Sequence, residues 1–229
     1  MDMDRPKSRD GRKVTHGAAN HATPSDVPIV GIVASDAREE LHLASAVRRA
    51  GGEPLAAADA DASLDRVGGL VVSAAPQADE KTWGAGDWVS WALDQGRPVL
   101  ATGGGFLALN VAAGGSMVEV DGHAADPGDE EPAYHRIYIA PGGKLAATVG
   151  SGGFVRVNSR HAFGVREAQK APGLLATAYS LEDGVIEALE SPEHKWVIGV
   201  QFDPQRRGEL PPHFDRLFDS LVVQARARA

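Results

Sequence analysis

The segment PVLATGGGFLALNVAAGG, residues 98–115, carries the strongest chemical signal in the chain. An apolar run ends at Thr102, three glycines follow, and an apolar helical pattern begins near Gly105. Such a turn sets a residue at the C-terminal edge of a parallel sheet and at the N-terminus of a helix. Free N–H groups and the helix dipole converge there, so the place favours an anion. Hydrolases use the same turn as a nucleophile elbow. No Walker lysine follows, and no G-x-G-x-x-G with a distal acid is present. Gly103, Gly104 and Gly105 therefore read as a tight turn, with a cradle for a small anionic or carboxylate ligand as the functional alternative.

Other reactive residue types are sparse. Ser159 and His161 lie two apart and share a face if the segment is extended. A Ser–His dyad there would need a new geometry and its own oxyanion hole, so His161 reads as a fold or pocket residue. Asp203 is a poor general base, since an unperturbed carboxylate has a pKa near ~4. As a metal ligand beside His161 it lacks the cluster of oxygen donors a hard cation needs. His135 and His194 stand alone in sequence and read as surface residues. The chain has no cysteine, which excludes disulfides, zinc–thiolate sites and a thiol nucleophile. No metal ligand set and no cofactor is expected.

The elements that must hold these residues follow from periodicity. VPIVGIVAS (27–35) suits a buried strand. AREELHLASAVRRAGG places Leu41, Ala44, Val47 and Ala50 at helical spacing and stops at Gly51-Gly52. EPLAAA, GGLVVSA (68–74) and RPVLAT (97–102) read as further strands. TWGAGDWVSWALDQG (82–96) is a helix with Trp88, Trp91 and Ala92 on one face. This alternation predicts βαβ units and a mostly parallel sheet covered on both faces. The second half changes character. AYHRIYIA and FVRV are short strands, and LLATAYSLEDGVIEALES is a hairpin around Glu182-Asp183-Gly184. WVIGVQF (196–202) is another strand. HFDRLFDSLVVQARA is an amphipathic helix with Phe214, Leu217, Phe218, Leu221 and Val222 on one side. Residues 1–26 are polar, with a basic cluster at Arg5, Lys7, Arg9, Arg12 and Lys13, and read as a mobile tail.

With the elements in order, four motifs acquire a shared meaning. ATGGGFLALNVAAGG resembles the elbow of the gamma-glutamyl-gamma-aminobutyrate hydrolase group, in the class I glutamine amidotransferase-like superfamily (peptidase family C26). That group's pattern is a strand, Cys-Arg-Gly, then a helix with Leu-Asn-Val-Ala-x-Gly-Gly. Gly105, Leu109, Asn110, Val111, Ala112, Gly114 and Gly115 match it. VPIVGIVAS with AVRRAGGEPLAAA is similar to the family's first strand, helix and second strand. VRVNSRHAFGV (155–165) resembles its Val-Asn-Ser-x-His-His-Gln segment through Asn158, Ser159 and His161. DGVIEALESPEHKWVIGVQFDPQ (183–205) resembles the segment that ends Val-Gln-Trp-His-Pro-Glu.

The resemblance implies a three-layer α/β/α fold, flavodoxin-like, with a mostly parallel central sheet and a small antiparallel addition. Residues 27–229 are expected to form one such domain. It also implies where catalysis would sit. The family's cysteine attacks a gamma-glutamyl amide, a histidine shuttles the proton and a glutamate orients the histidine. The corresponding positions are Gly103, Asp203 and Gln205, so no catalytic residue is intact. The family's Gly-Gly after the third strand, which supplies oxyanion-hole backbone, is Ala74-Ala75. The expected ligand-binding residues are Gly103, Gly104, Gly105, Ala75, Asn158, Ser159 and His161.

The functional expectation is a catalytically inactive homologue that binds a small gamma-glutamyl-like or carboxylate ligand, or a protein partner, or itself as a homo-oligomer. The alternative is a divergent hydrolase of gamma-glutamyl amides with a non-cysteine nucleophile or a metal. The net charge of −8 is scattered, with no basic stripe, which argues against nucleic acid. No apolar run approaches the roughly 20 residues that span a bilayer, and no signal-peptide core is visible. A cytoplasmic location is expected.

Overall fold

The computed structural model describes residues 27–57, 64–76, 84–125 and 131–227. The expected tail, and the first residues of the expected 82–96 helix, lie outside them. The described elements run β1 (Ile29–Val33), α1 (Ala37–Arg49), β2 (Glu53–Ala56), β3 (Val67–Val72), α2 (Ala85–Asp94), β4 (Val99–Thr102) and α3 (Gly104–Ala112). Then come β5 (Val118–Glu119), β6 (Ala133–Ile139), α4 (Lys144–Val149), β7 (Gly153–Ser159) and β8 (Phe163–Gly164). The chain finishes through β9 (Leu175–Ser180), β10 (Ile186–Glu190), β11 (Val197–Val200) and α5 (Arg216–Arg226).

The central sheet has the order β2-β1-β3-β4-β11-β10-β9-β6-β7. Strands β1 to β4 and β11 pair in parallel. Beyond β11 the pairing turns antiparallel through β10, β9, β6 and β7. The antiparallel addition is thus continuous with the central sheet rather than a separate layer.

The parallel strands are buried on both sides, and alternate residues feed different cores. Val71, Leu100, Ile198 and Val200 point to one face, where α1, α4 and α5 pack through Leu43, Val47, Leu145, Val149, Leu217 and Leu221. Leu70, Val72, Val99, Ala101 and Val197 point to the other, against Trp88 and Val89 of α2 and Phe106 and Leu109 of α3. This is the three-layer α/β/α architecture. Leu41 does not join the buried stripe of α1; it is 70% exposed. It sits about 200° around the helix from Leu43 at ~100° per residue, so it faces outward when Leu43, Ala44 and Val47 face the sheet.

Candidate functional site

Strand β4 ends at Thr102, and the backbone reverses at Gly103 with φ 51° and ψ −120°. That conformation is strongly disfavoured for residues with a Cβ, and glycine alone adopts it at little steric cost. The Gly103 N–H donates to the Val200 carbonyl at 3.0 Å, which ties the elbow to the end of β11. Gly105 is fixed by a close approach: a Cβ there would stand 2.0 Å from the Val72 carbonyl oxygen at the end of β3. The elbow expected from the glycine run is therefore formed, and close packing against β3 and β11 shapes it.

Asp203 faces the elbow. A Cβ at position 103 would lie 2.6 Å from Asp203 Oδ1, so the carboxylate occupies the room a side chain at the apex would need. Asn158, buried on β7, holds Asp203 in place. Its amide oxygen accepts from the Asp203 N–H at 2.9 Å, and its NH2 donates to the Asp203 carbonyl at 3.2 Å and to Glu209 at 2.7 Å. Arg160 bridges the Asp203 carboxylate at 3.3 Å and Glu209 at 2.7 Å. The Gln205 NH2 donates to Asp203 Oδ1 at 3.2 Å and, in a short contact, to Glu39. Glu39 in turn receives Arg206 at 2.7 Å.

Glu39 reaches the site from the first turn of α1. The Asp36 side chain caps that helix by accepting from the Glu39 N–H at 2.8 Å, and the helix dipole favours a carboxylate there. Burial, and then the neighbouring Glu39, push the Asp203 carboxyl up to about 6, against the pull of Arg160 and Arg206.

Glu39, Gly103, Arg160, Asp203 and Arg206 wall a cavity of about 240 Å³, together with Ser35, Ser73, Ala75, Gly104, His161 and Gln201. Of the residues expected to bind ligand, Gly103, Gly104, Ala75 and His161 line it. Gly105, Asn158 and Ser159 do not: Gly105 packs on Val72, Asn158 is spent on Asp203 and Glu209, and the Ser159 hydroxyl donates to the His123 carbonyl. His161 turns Nδ1 to the Phe163 carbonyl at 3.0 Å, so Ser159 and His161 form no dyad. Gln205 lies behind Asp203 rather than on the wall. The Ser73 hydroxyl and both ends of the Gln201 amide are buried without a hydrogen-bond partner.

Glu39, Arg160, Arg206, Ser73 and Gln201 join the site without having been expected there. Arg160 and Arg206 each sit directly beside a motif residue, which is the signal the sequence offers for them. Glu39 is 164 positions from Asp203 in sequence, and only the fold joins them. His135, expected at the surface, is instead buried, on β6 against Glu187 of β10. Strand pairing β6–β9–β10 brings the two together, which isolated spacing does not reveal. His194 is half-buried and hydrogen-bonded to Ser191 at 2.7 Å. Burial lowers the basicity of His135, but Glu187, then Glu182 and Asp183, outweigh it and the net shift is upward. Burial pushes His161 down to about 4 despite the nearby Glu187 carboxylate.

Among the described residues, no helix is long and apolar enough to cross a membrane. Among solved structures, the fold is similar to a Thermoplasma acidophilum protein named for part of GMP synthase. That match has a TM-score of 0.67 at 17% identity and covers 88% of this chain and 96% of the other. It is also similar to the glutaminase domain of Trypanosoma brucei CTP synthase, solved with acivicin, with a TM-score of 0.64 at 14% identity, covering 86% and 93%. In sequence the chain is 34% identical over 140 residues to a Mycobacterium tuberculosis protein named for glutamine amidotransferase. That match takes in 58% of this chain and 42% of the relative, so the chain spans less than half of that protein's length. Residues 85–205, from α2 through the elbow to Gln205, match the Peptidase C26 family, and the chain belongs to that family.

Proposed function

We propose that this protein is a non-hydrolytic member of the Peptidase C26 family that holds a small polar ligand above the elbow. One observation carries the reading: the apex of the elbow is Gly103, and the Asp203 carboxylate stands where an apical side chain would be. The resemblance puts the family's nucleophile, base and orienting acid at Gly103, Asp203 and Gln205. None of these three can perform its counterpart's role. Glycine offers no nucleophile. Asp203, although its carboxyl is pushed up to about 6, has no nucleophile at the apex to deprotonate and is engaged by Arg160 and Gln205. Gln205 cannot act as an anion toward a partner.

What the cavity offers instead is recognition. The N-terminus of α3 at the elbow and the unpartnered Ser73 and Gln201 side chains suit a ligand with carboxylate and amide groups. A volume of about 240 Å³ fits a molecule of amino-acid size. A gamma-glutamyl-like compound meets both conditions.

The test has two arms. Incubation with glutamine and gamma-glutamyl amides should release no ammonia or amine above a buffer blank. Titration with glutamate, glutamine or a gamma-glutamyl amide, followed by amide chemical shifts, should move Gly104, Gly105 and Gln201. Turnover that disappears on Asp203→Asn would sink the non-hydrolytic reading, and a covalent adduct with an activated gamma-glutamyl ester would do the same. Absence of shifts would instead direct the search to a protein partner or to self-association, read by co-purification and size exclusion.

A further inference from the structure

A second polar cluster lies behind the cavity wall. His123 comes from the loop after β5, His135 from β6, His161 from the turn after β7, and Glu187 from β10. All four are buried, Glu187 completely. Glu187 Oε1 is 3.1 Å from His135 Nε2, 3.5 Å from His123 Nδ1 and 3.8 Å from His161 Nε2. None of these atoms makes a well-directed hydrogen bond. So many unpaired buried polar atoms in one place are costly unless something sits among them.

The proton positions say what that must be. His161 Nδ1 faces the Phe163 carbonyl, which can only accept, so Nδ1 carries the proton and Nε2 turns a lone pair toward Glu187. In the neutral His123 ring, an Nε2–H aimed at the Asp183 carboxylate at 3.4 Å leaves the Nδ1 lone pair turned to Glu187; a doubly protonated ring would instead donate to both carboxylates. Two imidazole lone pairs and a carboxylate oxygen therefore converge, and only a cation between them turns repulsion into attraction. Metal-bound histidines characteristically donate their other N–H to a carbonyl or a carboxylate, and both arrangements are present. The spacing fits for three of the four. Donors about 2.0–2.1 Å from a tetrahedral ion stand roughly 3.4 Å apart; His123, His135 and Glu187 bring their ligand atoms within 4.8 Å of one another, whereas His161 Nε2, 3.8 Å from Glu187 Oε1, stands outside that group and has to swing inward to become the fourth donor.

We propose that His123, His135 and Glu187 hold one first-row divalent ion of the zinc class and that His161 closes the site as the fourth donor, with Asp183 and the Phe163 carbonyl as outer partners. Three imidazoles and one carboxylate suit zinc and its neighbours rather than calcium or magnesium. Four protein ligands leave no open position, which is the pattern of a structural ion. The ion fastens the loop carrying His123 and the turn carrying His161 to β6 and β10. Because His161 also lines the cavity, the ion stiffens one cavity wall. This site does not depend on the ligand-binding reading. The competing occupant is a proton carried by His135 or His123 and shared with Glu187.

Tag-free protein, treated with a chelator and dialysed, is titrated with Zn(II) by calorimetry and with Co(II) by visible absorption. The expected result is one equivalent bound, intense tetrahedral Co(II) bands, and a higher thermal midpoint with Zn(II). Asp183→Asn keeps all four donors and should weaken binding roughly 10- to 100-fold. Glu187→Gln and His135→Gln should weaken it further, while His194→Ala, outside the cluster, should leave it unchanged. No stoichiometric uptake by the parent protein overturns the proposal, whether or not the variants fold. So does uptake that Glu187→Gln and His135→Gln together leave unaltered. A doubly protonated His135 or His123 ring in nitrogen NMR of Zn(II)-treated protein also overturns it, in favour of the proton.

Discussion

The two buried polar clusters of this protein sit side by side and are built on opposite plans. At the elbow, Glu39, Arg206, Gln205, Asp203, Arg160 and Glu209 form a chain in which every charged group has a partner of the opposite sign and the Gln205 NH2 links Glu39 to Asp203, with Gln205 Oε1 and Arg206 Nε left without a hydrogen bond. Behind it, in the antiparallel part of the sheet, three imidazoles and a carboxylate face one another with their acceptors unmatched. The first cluster is closed and its open space lies above it, in the cavity. The second is incomplete within itself. Buried charge is tolerated in the first because of internal pairing and in the second only with an added cation. The comparison also separates backbone from chemistry. The elbow keeps its reversed geometry although no nucleophile stands on it, because close packing on β3 and β11 holds it.

The largest expected effect tests that packing. Gly105→Ala puts a methyl 2.0 Å from the Val72 carbonyl oxygen, within the backbone of both partners. It should cost more than about 3 kcal/mol, at the upper end of overpacking costs, read by urea denaturation. A loss below about 1 kcal/mol, the low end of that range, would mean that α3 slides easily and that packing does not fix the elbow.

Next is the electrostatic state of Asp203, which Glu39, Arg160, Arg206 and Gln205 face from α1, the turn after β7 and its own loop. Its folded pKa of about 6 lies above the ordinary carboxylate value. The native state therefore binds the extra proton between pH ~4 and ~6, and the group's contribution to stability falls as pH rises through that window. Asp203→Asn should match the parent near pH ~4 and exceed it above pH ~6, by up to about 3 kcal/mol at ~1.4 kcal/mol per pKa unit. Thermal midpoints of the two proteins across that range check the sign. An Asn variant that is less stable at neutral pH would show that the Arg160 and Arg206 pairs outweigh burial.

The smallest effect probes the fit between the apex and the carboxylate. Gly103→Ala meets both a disfavoured φ and the Asp203 oxygen at 2.6 Å. It should cost about 1–3 kcal/mol. In an Asp203→Ala background the steric share should vanish, giving a coupling of about 1 kcal/mol in a double-mutant cycle. Additivity would show that the carboxylate simply swings aside, and that a side chain at position 103 is tolerated.

Much of this is legible in the chain. The strand–GGG–helix run fixes the elbow, because three glycines between an apolar strand and an apolar helix have few other uses. The alternation of strands and helices through residue 112 determines the parallel layer, since each strand is a short apolar run bounded by turn signals. The motifs around Asn158 and Asp203 lead to the family. Local pattern cannot say that the Asn158 and Ser159 side chains bond to Asp203, Glu209 and the His123 carbonyl rather than line the cavity. Nor can it assign His135, whose sequence neighbours are those of an ordinary surface strand. Burial depends on what a strand pairs with, and the partners of His135 lie some fifty residues away on β9 and β10. Glu39 is the extreme case: a carboxylate in a helix's first turn looks like dipole complementation, and only the sheet order brings it against Gln205 and Arg206. The sequence by itself determined the backbone scaffold and the missing apical side chain. The tertiary structure alone decided which charges are paired and which remain open, because pairing is set by distances across strands and helices that periodicity does not encode.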